Sequence, residues 1–155
     1  MMGNDCLIAV ARESDGRGAK TVLTPLVMEK LHLKKAEDLI AWRYSDMSFA
    51  RPASVTPLLF EAAEKKDEVA LAILQKSVNG LCESVESVHR QLDFSPEEPV
   101  PIVAAGGNLT HENSILFKHF KEGIERLIPN AQLTLPVMDP AMAAALLALN
   151  HKEKQ

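Results

Sequence analysis

The sequence has 155 residues, of which 46% are apolar and 25% charged, and its formal net charge is −4. This length and composition favour one globular domain with a substantial core. Basic residues are interleaved with acidic ones, which argues against a nucleic-acid-binding surface. No apolar run is long enough to cross a bilayer, and polar residues such as Asp5 and Arg12 break any signal-peptide pattern. We therefore expect a cytoplasmic protein without nucleic-acid or membrane partners.

Cysteine and histidine spacing predicts neither a metal site nor a disulfide framework. Cys6 and Cys82 lie in apolar helical contexts, far apart in the sequence. The five histidines are scattered and have no metal-ligand spacing. We therefore expect a reducing compartment and no metal bound by side chains. No nucleophile–base grouping stands out, so no residue is assigned to catalysis.

The first third of the sequence reads as short helices separated by turns. A helix is predicted over about 5–13, followed by a turn at 14–18. The next helix is predicted to be capped by Thr21, or by Thr24 with Pro25 in its first position. A helical patch at 36–42 is expected to turn three side chains inward: Leu39, Ile40 and Trp42.

Two further helices are predicted before residue 92. One opens near Arg51-Pro52 and runs to about residue 65, with Pro57 either kinking it or marking its true start. The other runs from Asp67, its predicted N-cap, to about Gln91, with Gly80 allowing close packing. Its apolar stripe favours a core helix over a short coiled coil; the stripe is Leu71, Leu74, Val78, Leu81, Val85, Val88 and Leu92.

The last third of the sequence predicts two strand–helix units. A strand at 100–105 leads into a Gly-rich turn and a helix over about 111–128. A second strand at 131–135 precedes a helix at 141–150, capped by Asp139 with Pro140 in the first position. The order predicts two parallel strands with a right-handed crossover. Two strands alone do not make a stable sheet, so we expect the chain to form part of a larger sheet.

The turn Gly106-Gly107-Asn108 has two interpretations. Glycines at a strand end allow backbone amides to approach a nucleotide. The same residues also make a tight turn that binds nothing. Asp15-Gly16-Arg17 is similarly either a plain turn, which local chemistry favours, or an anion-binding turn that uses Arg17.

Read together, these segments resemble the C-terminal part of the eukaryotic-type N-acetylglucosamine kinases. More broadly they resemble the BadF/BadG/BcrA/BcrD ATPase family, in the actin-like sugar kinase superfamily. The order of several weak motifs carries the resemblance: Ala9-Val10-Ala11-Arg12, Asp15-Gly16-Arg17-Gly18, Thr21, Leu23, Asp38-Leu39-Ile40, Trp42, Tyr44, Ala53, Glu61-Ala62-Ala63, Asp67, Ala70, Ile73-Leu74, Ala105-Gly106-Gly107, Leu135-Pro136, Asp139-Pro140-Ala141 and Ala144-Ala145-Leu146-Leu147-Ala148.

The resemblance implies a fold and a site. The fold would be α/β: the helix-rich C-terminal lobe of an actin-like (RNase H-like) ATPase with an incomplete sheet. The lobe would comprise a helical subdomain at 6–93 and a strand–helix–strand–helix unit at 99–150. Gly106, Gly107 and Asn108 would form an adenosine-binding turn, and the helix near Ala53 would line the adenine pocket.

The resemblance also implies a reaction. The complete enzyme would use ATP and Mg²⁺ to phosphorylate the 6-hydroxyl of N-acetylglucosamine. The family's N-terminal lobe, with its phosphate-binding turn and catalytic aspartate, is not in this sequence. We therefore expect the chain alone to be inactive. The alternative is a non-catalytic remnant that binds a nucleotide or a partner chain, and the half-sheet would allow a homodimer.

Overall fold

A computed structural model describes residues 2–95, 97–109 and 114–152. Within these ranges the chain forms eight helices and two strands. In chain order they are α1 (Met2–Ser14), α2 (Leu23–Lys30), α3 (Asp38–Tyr44), α4 (Ala50–Ala53), α5 (Thr56–Glu64), α6 (Glu68–His89), β1 (Val100–Val103), α7 (Ile115–Leu127), β2 (Ala131–Thr134) and α8 (Pro140–Lys152).

The chain divides into two compact units, residues 1–81 and 82–155. The predicted helix-rich α/β class is confirmed, with the two strands parallel and the helices mostly ahead of them. No helix among the described residues is long and apolar enough to cross a membrane.

The first unit is a helical cluster organised around α1. This helix packs against α2, α4 and α5, and α2 also packs against α5. A Cβ added to Gly3 would lie 1.9 Å from the Pro52 carbonyl oxygen. The backbones of α1 and α4 can therefore meet only because residue 3 has no side chain. Fully buried side chains fill the space between the helices: Cys6, Val10, Leu23, Val27, Val55, Leu59 and Ala62.

The start of α2 differs from the prediction. Its N-cap is Val22, and Pro25 is its third residue rather than its first. A residue distant in the sequence contributes to this start, because Asp67 Oδ2 accepts a hydrogen bond from the Val22 N–H at 2.7 Å. Thr21, one of the two predicted caps, also contributes, since its Oγ1 accepts a hydrogen bond from the Leu23 N–H at 3.1 Å. The start of α2 is therefore held by the local threonine and by the distant carboxylate together.

Two helices near residues 36–65 also differ from the prediction. α3 begins at Asp38 and buries Leu39, but Ile40 is 64% exposed, so its inward assignment is wrong. The single helix expected up to residue 65 is two, α4 and α5, separated by Ser54 and Val55. Pro57 is the second residue of α5. Of the two alternatives for Pro57, the true start is therefore the right one, because proline has no N–H to lose there.

The long helix α6 follows the prediction closely at its beginning. Asp67 caps it, with Oδ1 accepting from the Ala70 N–H at 2.8 Å. Leu74 and Val78 are buried as a core stripe requires. Among the described residues, no atom lies within 4 Å of a Cβ added to Gly80, so the close packing predicted there is not seen in this part of the chain.

The second unit holds the sheet. β1 and β2 pair in parallel, with Val100 opposite Ala131 and Val103 opposite Thr134. α7 packs against β2 and buries Phe120 and Ile124 among others. Its N-cap is Ser114, whose Oγ accepts from the Phe117 N–H at 3.1 Å. The start predicted at His111 lies outside the described residues.

The last helix, α8, begins as predicted. Asp139 Oδ1 accepts from the Ala141 N–H at 2.8 Å, and Pro140 is the first helical residue. The helix extends to Lys152, two residues beyond the predicted end. Of its described side chains, all except Ala143 are exposed, although nearly all are apolar.

Candidate functional site

The predicted nucleotide turn directly follows β1. Ala104 is buried and continues the sheet hydrogen bonding, since its N–H donates to the Thr134 carbonyl at 2.8 Å. The chain then turns back, with the Leu109 N–H donating to the Gly106 carbonyl at 2.8 Å. Gly106, Gly107 and Asn108 are all exposed. The turn therefore presents its backbone to solvent at the carboxyl end of a parallel strand, where ligands bind in open α/β sheets.

The two glycines of the turn have different reasons to be glycine. Gly106 has φ +110°, a conformation that side chains disfavour. Among the described residues, neither glycine has a neighbour within 4 Å of an added Cβ. Backbone conformation therefore explains Gly106, whereas neither conformation nor packing within the described residues requires glycine at position 107.

Ala53, the other predicted site residue, ends α4. Its side chain is exposed, and it lies in the first unit whereas the glycine turn lies in the second. α4 is held in place through Pro52, which is buried against Gly3 of α1.

Arg51, also on α4, stacks on Trp42. Its guanidinium carbon lies 4.5 Å from the centroid of the indole ring, within the range of a cation–π contact. Arg51 also pairs with Asp46 at 3.8 Å. These contacts tie α4 to the end of α3, and sequence reasoning missed them because a lone Trp and a lone Arg nine residues apart have no helical spacing.

Asp15 and Arg17 form a closed turn. The Arg17 Nε donates to Asp15 Oδ2 at 2.9 Å, and the Arg17 backbone N–H donates to Oδ1 at 3.1 Å. The hydrogen bond from the Arg17 side chain lowers the pKa of Asp15. The guanidinium is thus engaged by a neighbouring carboxylate, which favours the plain-turn interpretation over an anion site.

A cleft of 540 Å³ opens in the first unit, beside this turn. Its lining carries charges of both signs, and Lys76 pairs with Asp5 across it at 2.8 Å. Arg17 lines it, whereas Gly106, Gly107, Asn108 and Ala53 do not. Because Lys76 is paired with Asp5 and Arg17 with Asp15, neither cation favours an anion site here.

Sequence reasoning recognised Asp67 as a helix cap but missed its larger network. Its carboxylate accepts from the N–H groups of Val22 and Ala70 and from the Thr21 hydroxyl, the last at 2.9 Å. Burial acts to raise its pKa, but these hydrogen bonds outweigh burial and hold the pKa below its ordinary value. The carboxylate therefore joins the starts of α2 and α6, a structural role that its buried donors fully account for.

The cysteines are unsuited to nucleophilic chemistry. Burial, with a smaller contribution from Asp5, raises the pKa of the Cys6 thiol to about 12. Burial also raises the pKa of Cys82. Both thiols are free, and a protonated, buried thiol is a poor nucleophile. In the described part of the chain, no group of three His, Cys, Asp or Glu residues could hold a metal ion.

A sequence model of the BadF/BadG/BcrA/BcrD ATPase family matches residues 1–148. The chain belongs to the BadF/BadG/BcrA/BcrD ATPase family. This match runs through both compact units, so the resemblance carried by scattered motifs is confirmed over nearly the whole sequence.

Two curated relatives match almost the whole of this chain. The N-acetyl-D-glucosamine kinase of Dictyostelium discoideum is 40% identical over 154 residues, which are 98% of this chain and 48% of the kinase. The N-acetylmuramic acid/N-acetylglucosamine kinase of Clostridium acetobutylicum is 29% identical over 148 residues, 95% of this chain and 48% of that kinase. The chain thus spans about half the length of these relatives. No solved structure shows a significant match.

Proposed function

We propose that this chain is one half of an ATP-dependent N-acetylglucosamine kinase. The observation that carries the proposal is the 40% identity to the Dictyostelium kinase along 98% of the chain. The reaction would transfer the γ-phosphoryl group of ATP to the 6-hydroxyl of the sugar. The Clostridium relative makes N-acetylmuramic acid a second sugar worth testing.

In this proposal the chain is the C-terminal lobe of an actin-like, RNase H-like fold. It would comprise a helical subdomain at 6–93 and a strand–helix unit at 99–150. Family membership supports this assignment, as do two parallel strands joined by a crossover helix.

The chain's own contribution would be to bind and orient the nucleotide. Gly106, Gly107 and Asn108 would contact the adenosine through the exposed backbone of their turn, and Ala53 would line the adenine pocket. The exposed position of all four residues supports access to a ligand. The turn would hold adenosine rather than the transferred phosphate, because the order of the family motifs around it favours an adenosine contact.

Phosphoryl transfer itself depends on positioning and on charge stabilisation. A carboxylate must also accept the proton of the sugar hydroxyl, and none is assigned to that role in this chain. It would come from the part of the kinase that this chain does not match. Mg²⁺ enters the proposal only as the ion that accompanies ATP.

A reconstitution assay tests the proposal. The remaining part of the Dictyostelium kinase, outside its match to this chain, would be co-expressed with the chain. Release of ADP is then measured with N-acetylglucosamine and with N-acetylmuramic acid. We expect turnover from the pair and none from either polypeptide alone. Turnover by the chain alone would overturn the proposal that it is half an enzyme, and a well-formed pair without turnover would overturn the kinase assignment.

Calorimetry with ATP tests the glycine turn in the same reconstituted pair. Gly107→Val should weaken binding at least tenfold, because the added side chain would block the close approach of adenosine to the backbone. Gly80→Val is the matched control, since among the described residues no atom lies within 4 Å of a Cβ added at either glycine. Unchanged affinity in Gly107→Val would remove the turn from the site.

The alternative function is a non-catalytic nucleotide-binding or partner-binding remnant, located like the kinase in the cytoplasm. It predicts ATP binding without any turnover in the reconstituted pair. The homodimer expected from the sequence is also a proposal, and sedimentation velocity of the chain alone tests it.

A further inference from the structure

The cleft of 540 Å³ in the first unit lies between α1 and α6. This volume is within the range of roughly 300–1,000 Å³ that is usual for small-molecule sites. One wall is the face of α1 from Asp5 to Arg12, and the other is the face of α6 from Glu68 to Lys76. The proposed function makes no use of this cleft, because neither the glycine turn nor Ala53 lines it.

One end of the cleft is closed by an ion pair. Asp5 and Lys76 are the outermost lining residues of the two helices at this end. The Lys76 Nζ lies 2.8 Å from Asp5 Oδ1. Both charges therefore already have a counter-ion, and this end does not require a charged group from a ligand.

The opposite end of the cleft carries one charge of each sign, Arg12 on α1 and Glu68 on α6. The connecting chain brings the two residues to the same end. The Gly18 N–H donates to the Arg12 carbonyl at 2.8 Å, and four residues later the Val22 N–H donates to Asp67, the residue before Glu68. Both charged side chains are exposed. Within the described ranges, neither has a hydrogen bond or an ion pair.

The backbone of Arg12 is held firmly at this end. A Cβ added to Gly18 would lie 3.0 Å from the Arg12 Cβ, so the turn at 17–19 packs directly on the end of α1. The pKa of Asp15 is lowered chiefly by the hydrogen bond from Arg17, with a small contribution from the charge of Arg12. Because Asp15 accepts its hydrogen bonds from Arg17, the Arg12 guanidinium keeps its donors for another carboxylate.

Between the two ends the walls of the cleft are apolar. They are formed by Ile8, Ala9, Val69, Ala72 and Ile73. Ile8 is 52% exposed, so a ligand that covered it would remove apolar surface from water. At 1.5 Å per residue the α1 wall is about 10 Å long. That length accommodates a charged group at one end and a short aliphatic chain along the wall.

We propose that this cleft binds a free α-amino acid with an aliphatic side chain. The carboxylate of the ligand pairs with Arg12, its ammonium group pairs with Glu68, and its side chain lies on the apolar walls. A simple anion fits less well, because Glu68 repels it. A longer zwitterion also fits less well, because its second charge reaches the end where Asp5 and Lys76 are already paired. The inference does not depend on the kinase assignment.

Isothermal titration calorimetry of the full chain tests the proposal with three ligands that share one carbon skeleton. L-Leucine carries both charges, 4-methylpentanoate carries only the carboxylate, and 3-methylbutylamine carries only the ammonium group. We expect saturable binding of L-leucine and at least tenfold weaker binding of each singly charged ligand. L-Alanine, which has both charges but a shorter side chain, should also bind at least tenfold more weakly, because it covers less of the apolar wall.

Two variants test the charged end of the cleft. Arg12→Gln removes the cation and Glu68→Gln removes the anion. Arg126→Gln and Glu64→Gln are the matched controls, since both residues are exposed and neither lines the cleft. We expect each cleft variant to weaken L-leucine binding at least tenfold and each control to leave it unchanged, with little change in the thermal melting of the unliganded chains.

Several results would overturn the proposal. Absence of saturable heat with L-leucine up to its solubility limit would do so directly. Equal binding of 4-methylpentanoate would make the cleft an anion site, and equal binding of 3-methylbutylamine would make it a cation site. L-Leucine binding that either Arg12→Gln or Glu68→Gln leaves unchanged would show that the two charges do not act together. The ligand series requires no variant, so it decides the question even if a substitution impairs folding.

Discussion

In the first unit, individual residues stabilise the ends of the helices. Asp67 is 9% exposed, yet its charge is acceptable because three donors surround it. A buried carboxylate without partners would instead become protonated near neutral pH. One of these donors, the Thr21 hydroxyl, also accepts from the Leu23 N–H at the start of α2, so Asp67 and Thr21 hold that helix end together.

We predict that Asp67→Asn lowers the free energy of unfolding at pH 7 by about 1–3 kcal/mol, because the amide has only one oxygen for these donors. The lowered pKa of Asp67 means that its stabilisation is present above the ordinary carboxyl pKa and is lost as pH falls through the folded-state value. Urea titrations should therefore show the wild type and variant converging in acid. Asp93→Asn is the exposed control, and an equal acid-dependent change in that control would contradict the assignment.

The glycine turn gives a second prediction for single residues. Gly106→Ala should lower the free energy of unfolding by about 1–3 kcal/mol, because φ +110° strains any residue with a Cβ. Gly107→Ala should change stability by less than about 0.5 kcal/mol, because the added carbon meets open space. Chemical denaturation of both variants measures the difference. Equal costs at the two positions would show that backbone conformation is not what distinguishes them.

Helices of this chain differ in how closely their faces are packed. The crossing of α1 and α4 is a backbone contact, since Gly3 faces the Pro52 carbonyl. The apolar stripe of α6, in contrast, is buried at Leu74 and Val78 but exposed at Val88. Leu92, predicted to continue the stripe, lies beyond the end of α6 and is also exposed. Helical periodicity correctly identified the stripe and could not tell which part of it has a neighbour to pack against.

We predict opposite effects for alanine at two helical glycines. Gly3→Ala should destabilise the chain by about 1–3 kcal/mol, because an overpacked contact must push α1 away from α4. Gly80→Ala should stabilise it by about 0.5–1 kcal/mol, because alanine is the better helix former and the space is empty. Thermal unfolding of the pair tests this. A stabilised Gly3→Ala would mean that the close crossing is absent in solution.

At the scale of the whole molecule, each of the two compact units buries apolar side chains of its own. Leu59 is fully buried in the first and Ile124 in the second. Removal of a buried side chain should be felt first in the unit that holds it.

We therefore predict that Leu59→Ala and Ile124→Ala each lower the free energy of unfolding of the unit that holds the residue by about 2–5 kcal/mol. In hydrogen exchange measured by mass spectrometry, backbone amides should lose protection mainly within residues 2–81 for the first variant. For the second variant the loss should fall mainly within 82–152. Val88→Ala, at an exposed position of α6, is the control. Uniform loss of protection along the chain in both variants would show that the two units unfold as one.

The sequence by itself determined the kind and order of elements and the family. Local signals were sufficient where the controlling atoms are near in sequence: Asp67 caps α6, Pro140 opens α8, and two apolar runs form the parallel strands. The order of motifs identified the family because each motif is weak but their spacing is shared. The roles proposed for Gly106, Gly107, Asn108 and Ala53 come from that resemblance, and the nucleotide assays described above test them.

Only the tertiary structure decided features that depend on residues far apart in the sequence. Asp67 joins Thr21 in holding the start of α2, Ile40 faces solvent, and Gly3 is a glycine that a close contact requires. The cleft between α1 and α6 is of the same kind, since it combines side chains from two helices with the turn at 17–19. Periodicity shows which side chains share a face, whereas the structure shows whether anything lies opposite that face.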